Sequence, residues 1–181
     1  MEEKVYSRFC GRKVELVKST RAFLTALKDP QETESFRQDF LSQFPAIERI
    51  DPLKDSGLLV CHFGRDVGRD RLEQLMSQIS RHPGVKYVTP AFRFPGAPDE
   101  QFMLQGDRIV AQFPRASPDR IEEDLQRKGL EIIKALHYLK NGYLLRVKEE
   151  AHKTAIEKAN EINEEGLGTA EVDWLRIFSP R

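Results

Sequence analysis

The chain has 181 residues, of which 39% are hydrophobic and 32% charged; this is a folded, water-compatible balance, too apolar for disorder and too charged for a membrane-spanning protein. Lys+Arg and Asp+Glu number 29 each, so the net charge is zero and the basic excess expected of a nucleic-acid binder is absent. No stretch approaches 18 consecutive apolar residues, and Met1-Glu2-Glu3-Lys4-Val5-Tyr6 has no apolar signal region, so a cytoplasmic location is expected, or an extracellular one if the chain is a piece excised from a longer precursor.

In chain order, the first predicted strand is Phe23-Leu24-Thr25-Ala26-Leu27. A helix follows from Asp29-Pro30, with Phe36, Phe40 and Phe44 recurring every four residues. Residues 47–53 and 58–63 read as strands about a turn at Asp55-Ser56-Gly57. Leu72, Leu75 and Ile79 mark a second helix that stops at His82-Pro83-Gly84. Val85-Lys86-Tyr87-Val88-Thr89-Pro90 is the closing strand, and Phe94-Pro95-Gly96-Ala97-Pro98-Asp99-Glu100 is a linker rich in breakers.

The same order then repeats. Ile109 to Phe113 is β-type, and Ser117-Pro118 is a helix start with a hydroxyl N-cap and proline at the first position. Ile121 and Leu125 share a face, and Gly129 stops the helix. Leu130 to Leu139 and Tyr143 to Val147 read as strands about Asn141-Gly142, a strong hairpin signal. Ala151, Ala155, Ala159 and Ile162 form a helical stripe ended by Gly166, and Thr169 to Phe178 is a last strand. Gly84-Val85 answers to Gly168-Thr169, which sets a period of 84 residues. The expected fold is α+β: two tandem ferredoxin-like β-α-β-β-α-β units, residues 1–96 and 97–181. Each is a four-stranded antiparallel sheet with two helices on one face and the other face open.

Catalytic and metal-binding patterns are missing. Cys10 and Cys61 are isolated and read as reduced thiols. His62, His82, His137 and His152 are scattered without ligand spacing, and neither GxxxxGK[ST] nor GxGxxG occurs. Cys61 and His62 are neighbours on a strand and must point to opposite faces, so they cannot form a thiol–imidazole pair. The expectation is a protein with no cofactor that is not an enzyme. An RNA-binding sheet would need exposed aromatics with basic neighbours; Phe63, Tyr138 and Tyr143, with Lys140 and Arg146, are the candidates.

The second unit resembles the propeptide, or inhibitor, domain of subtilisin-like serine proteases. The resemblance rests on Asp107-Arg108-Ile109-Val110-Ala111-Gln112-Phe113, on Gly129-Leu130-Glu131-Ile132-Ile133, and on Leu139-Lys140-Asn141-Gly142-Tyr143-Leu144-Leu145-Arg146-Val147. It extends through Ala159-Asn160 and Glu165-Gly166 to Ala170-Glu171-Val172-Asp173, where the family usually has proline or glutamate in place of Val172. The first unit is similar to the region that precedes this domain in some bacterial subtilases, through Phe9-Cys10-Gly11-Arg12-Lys13-Val14-Glu15-Leu16 and through residues 85–92. The Asp-Thr-Gly, Gly-His-Gly and Gly-Thr-Ser surroundings of the catalytic domain do not occur.

The resemblance implies a protein partner, a subtilisin-like protease, which the chain would inhibit or help to fold. The open sheet face would pack on the protease, and Glu171 and Asp173 would cap its helices. Leu175, Arg176, Ile177, Phe178, Ser179, Pro180 and Arg181 would lie in the cleft as an added strand. The alternative is a non-inhibitory interaction module that kept the fold. Uncovered sheets also permit self-association.

Overall fold

The computed structural model describes residues 4–9, 11–53, 56–98, 101–151 and 153–178. It is a mixed α+β protein with four α-helices and nine strands among those residues. Two compact units divide it. One is Val17–Leu104 together with residues 176–178; the other is Gln105–Leu175 together with residues 4–16. These bounds differ from a single cut at 96/97, because the N-terminal hairpin groups with the later residues and the linker's far side with the earlier ones.

In the unit Val17–Leu104, β2 (Arg12–Leu27) runs on from the hairpin and is followed by α1 (Thr33–Gln43), β3 (Ile47–Leu53), β4 (Leu58–Phe63), α2 (Arg69–Ser80) and β5 (Val85–Arg93). The strand order is β3-β4-β2-β5 with antiparallel neighbours, and the start of β6 (Gln101–Gln112) pairs with β5 through Ala91–Leu104 and Phe92–Met103. Strand alternation sends Phe23, Leu59, Cys61 and Ile50 to one side. There they form a core with Phe36 and Phe40 of α1 and Leu72, Leu75 and Ile79 of α2. The Phe36 and Phe40 rings stack at 4.0 Å, which is what the four-residue spacing was expected to deliver.

Ala22, Leu24 and Val60 have 0% exposure, and Ala26 and Thr89 are also buried. Leu24 is the register partner of Val60 on β4 and of Thr89 on β5, and Ala22 and Ala26 flank it on the same face of β2.

The second unit contains β1 (Lys4–Phe9), the C-terminal part of β6, α3 (Pro118–Arg127), β7 (Leu130–Ala135), β8 (Gly142–Val147), α4 (Ala155–Glu164) and β9 (Thr169–Phe178) as far as Leu175. The strand order is β7-β8-β6-β9, and β1 pairs with β2. The hairpin expected at Asn141-Gly142 is looser than a two-residue turn. β7 ends at Ala135, Leu136 N–H donates to Gly142 O at 2.8 Å, and Asn141, at φ 50°, donates its side-chain amide to Phe113 O and Ala116 O. The asparagine serves the loop before α3 rather than a tight β-turn. Ser117 is the N-cap of α3, but its hydroxyl makes no capping bond; proline at N1 leaves one fewer donor to satisfy. Helix α4 begins at Ala155, not at Ala151, because Thr154 and Glu157 form a reciprocal capping box.

Helices α3 and α4 are tied together by charge. Lys128, at the end of α3, donates to Glu161 at 3.0 Å and to Glu165 at 2.7 Å, while Lys153 and Lys158 each reach Glu161 at 3.1 Å. Burial alone would push the Glu161 carboxyl up. The hydrogen bonds from Lys128, Lys158 and Lys153 outweigh it and hold the group at about 2, against an ordinary value of 4.5. A depressed carboxylate stabilises the fold fully above its unfolded value and loses that contribution as pH falls through the folded one. Glu161→Gln is therefore expected to cost about 1–2 kcal/mol at pH 7, allowing for solvent at a side chain that is 21% exposed. The gap to wild type should shrink as pH drops from 4.5 towards 2. Urea unfolding at pH 7, 4 and 2.5 tests this; an equal gap at all three would contradict it.

Candidate functional site

The sheet of the second unit sorts its residues by parity. On β6, Ile109 and Ala111 are buried, Arg108 is exposed, and Val110 and Gln112 are half-buried. On β8, Leu145 and Val147 are buried, while Leu144 and Arg146 are half-buried. Cross-strand register pairs Arg108 with Arg146, Val110 with Leu144, and Glu131 with Arg146, so these residues share one face. The other face carries Ile109, Ala111, Leu145 and Leu130, and the helices contribute Ile121, Leu125, Ile156, Ala159 and Ile162 to the buried set. The helix-free face is thus a half-exposed apolar centre, Val110 and Leu144, inside a charged border.

That border is internally paired. Arg146 lies 3.5 Å from Glu131 and 3.6 Å from Asp107. The pairing offsets the repulsion between Arg108 and Arg146, which sit directly opposite each other. On β9, Ala170 and Val172 are buried and Glu171, Asp173 and Leu175 are half-buried, so alternation places the last three on the open side. Glu171 is already engaged: its carboxylate accepts from Gly11 N–H at 2.7 Å. The same hairpin stacks Phe9 on Trp174, with centroids 5.7 Å apart and planes at 12°, and its Tyr6 carbonyl accepts from Asn160 of α4 at 2.8 Å. Glycine suits position 11, where φ is 78°.

The expected tail divides. The backbone of residues 175–178 belongs to β9. The side chains of Arg176, Ile177 and Phe178, and all of Ser179, Pro180 and Arg181, lie outside the described residues, as do Cys10, Asp55 and His152. The structure therefore brings Glu171, Asp173 and Leu175 onto one strand beside the open face. The apolar centre, Val110 and Leu144, was not singled out from sequence, although the alternation of Arg108 to Gln112 carries that signal.

Elsewhere, Phe63 is core, and Tyr143 is half-buried with its ring 6.3 Å from that of Phe113. Of the three aromatics weighed for RNA stacking, Tyr138 alone is strongly exposed, at 77%. Cys61 is fully buried beside Thr25, and burial pushes its thiol up to about 12, far from a reactive thiolate. His62 points to the other face, as adjacent strand residues must, and its Nε2 lies 3.0 Å from Asp51 Oδ2, with Arg49 bound to the same oxygen at 3.0 Å. Among the described residues no cluster of three or more His, Cys, Asp or Glu is placed to hold a metal, and no helix is long and apolar enough to cross a membrane. Comparisons with family models, curated proteins and solved structures find no match.

Burial, and then the charge of Arg49, lower the His62 pKa below its ordinary 6.5 despite the attraction of Asp51. The unfolded chain then takes up this proton first as pH falls. The contribution is present above pH 6.5 and is lost below it, towards the folded pKa. Wild type should therefore lose stability between pH 7.5 and 5.5, and His62→Gln should flatten that slope. Denaturant midpoints across the window, with an NMR titration of the imidazole, check the sign; a His62 pKa at or above 6.5 would refute it.

Proposed function

We propose that this protein binds another protein through the helix-free face of its C-terminal sheet, and that the partner is a subtilisin-like serine protease, which it inhibits or helps to fold. The carrying observation is the half-exposed pair Val110 and Leu144 within a border of Arg108, Glu131 and Arg146. A small apolar centre with a polar rim is the usual anatomy of a docking surface. The tandem ferredoxin-like reading is supported by the order β3-β4-β2-β5 and its counterpart β7-β8-β6-β9. In both, the first and third strands of the unit are central and the second and fourth flank them.

The choice of a protease rests on the resemblance of residues 107–173 to inhibitory propeptides. In that reading Glu171 and Asp173 face the amino ends of partner helices, where carboxylates are favoured. Leu175, Arg176, Ile177, Phe178, Ser179, Pro180 and Arg181 supply the cleft-binding segment. The place of residues 175–178 in β9 favours a second reading, a non-inhibitory interaction module, because a strand already paired to β6 is not a free tail.

Residual activity of a subtilisin-like protease, titrated with the full chain, tests the first reading. Leu144→Arg puts a charge in the apolar centre and should weaken inhibition at least about tenfold while leaving the unfolding midpoint nearly unchanged. A chain ending at Trp174 should bind without inhibiting if the cleft segment acts as proposed. Inhibition untouched by Leu144→Arg would exclude the face. No binding to any of several subtilases would exclude the protease and leave the module reading, to be pursued by crosslinking at Val110.

A further inference from the structure

A second concavity lies in the same unit, away from the open sheet face. It occupies about 470 Å³ between α3 and the end of α4, within the size range of small-molecule sites. Its floor is apolar: Phe113, Ile121, Leu125 and Ile162 are each no more than 4% exposed, and Leu167 closes one end. Its rim is basic, with Arg115, Arg120 and Lys128 against the single acid Asp124.

The cations are not equally available. Lys128 is committed to Glu161 and Glu165. Asp124 is bound by Arg127 and reached by Arg120 only at 4.0 Å, and Arg120 remains 79% exposed. Arg115 has no hydrogen-bond or ion-pair partner among the described residues. Two guanidinium groups therefore border an apolar cleft with at most one weak internal counter-charge between them. Guanidinium is the side chain best suited to grip a carboxylate at two points.

We infer that this groove is a binding site for a small organic carboxylate with an aryl or branched-alkyl body, the anion held by Arg115 and Arg120 and the body laid on Phe113, Ile121 and Leu125. The apolar floor would give a bare anion no contact for a body, and the two arginines would give a neutral apolar molecule no anchor. Both parts of the ligand are needed. The site does not depend on the docking function proposed above.

The probe is 4-phenylbutyrate, compared with its neutral amide and with inorganic phosphate. At 10 mM the carboxylate should raise the Tm by about 2–5 °C, with backbone amide shifts confined to residues such as Ser117, Ile121 and Gly166. The amide and phosphate should each do markedly less. The double variant Arg115→Ala/Arg120→Ala, whose two side chains are exposed, should keep the wild-type Tm without ligand and lose the rise. Equal responses to carboxylate and amide, an equal response to phosphate, shifts elsewhere on the protein, or a rise that survives in the double variant would each overturn the assignment.

Discussion

A two-residue repeat along β6 and β8 decides what the C-terminal unit can present. Ile109, Ala111, Leu145 and Val147 must go to one side of the sheet, and Arg108, Val110, Leu144 and Arg146 to the other, because successive strand residues alternate. A slip of one residue would exchange the two sets, burying two arginines and exposing four apolar side chains. Register is therefore strongly specified, and the rest follows from it. The helices take the apolar side, the Glu161 network fixes them there through Lys128, Lys153 and Lys158, and the second side is left without a helix. At Val110 and Leu144 that second side is apolar and half-exposed, with charged residues around it.

The two units share an order of elements but not a use of the second face. In β2, Ala22-Phe23-Leu24-Thr25-Ala26-Leu27 is apolar at nearly every position, and Leu24 and Val60 are as buried as Phe23 and Cys61. In β6, Arg108 and Gln112 interrupt the run. A strand buried on both faces reads as a continuous apolar segment, and a half-buried one reads as alternation. The contrast between Leu24 and Val110 separates a strand that is apolar on both faces from one that alternates. That contrast was present in the amino-acid sequence.

Much else was legible because it rests on local periodicity. The Phe36–Phe40–Phe44 spacing, the Leu72–Leu75–Ile79 stripe, the Ile121–Leu125 pair and the closing strands all stand where the pattern placed them. What escaped were features set by single side chains or by distant partners. Thr154 and Glu157 have the spacing of a capping box, yet the alanine stripe through Ala151 drew the helix start four residues too early. Asn141 looked like a two-residue turn because its preference for positive φ does not reveal that its amide serves Phe113 and Ala116. The length of β2, from Arg12 to Leu27, was hidden because the polar residues Lys18, Ser19, Thr20 and Arg21 look like a break. Pairing on either side overrides that weak local preference.

The contact between Gly11 and Glu171 bears on how the proposed docking face would work. A carboxylate that accepts a backbone N–H at 2.7 Å in the free protein gains little by exchanging it for the N–H groups of a partner's helix, since net hydrogen-bond energies are small when one bond replaces another. Glu171 would then contribute orientation more than affinity. Asp173, half-buried on the same strand with no such backbone donor among the described residues, would be better placed to gain from a partner's positive end. The larger share of affinity would fall to removing Val110 and Leu144 from water, because their burial is a gain that no contact within the free sheet already supplies. If the face docks a partner as proposed, apolar contact would set the strength of binding, and the paired charges of Arg146, Glu131 and Asp107 would set which partner can approach in register.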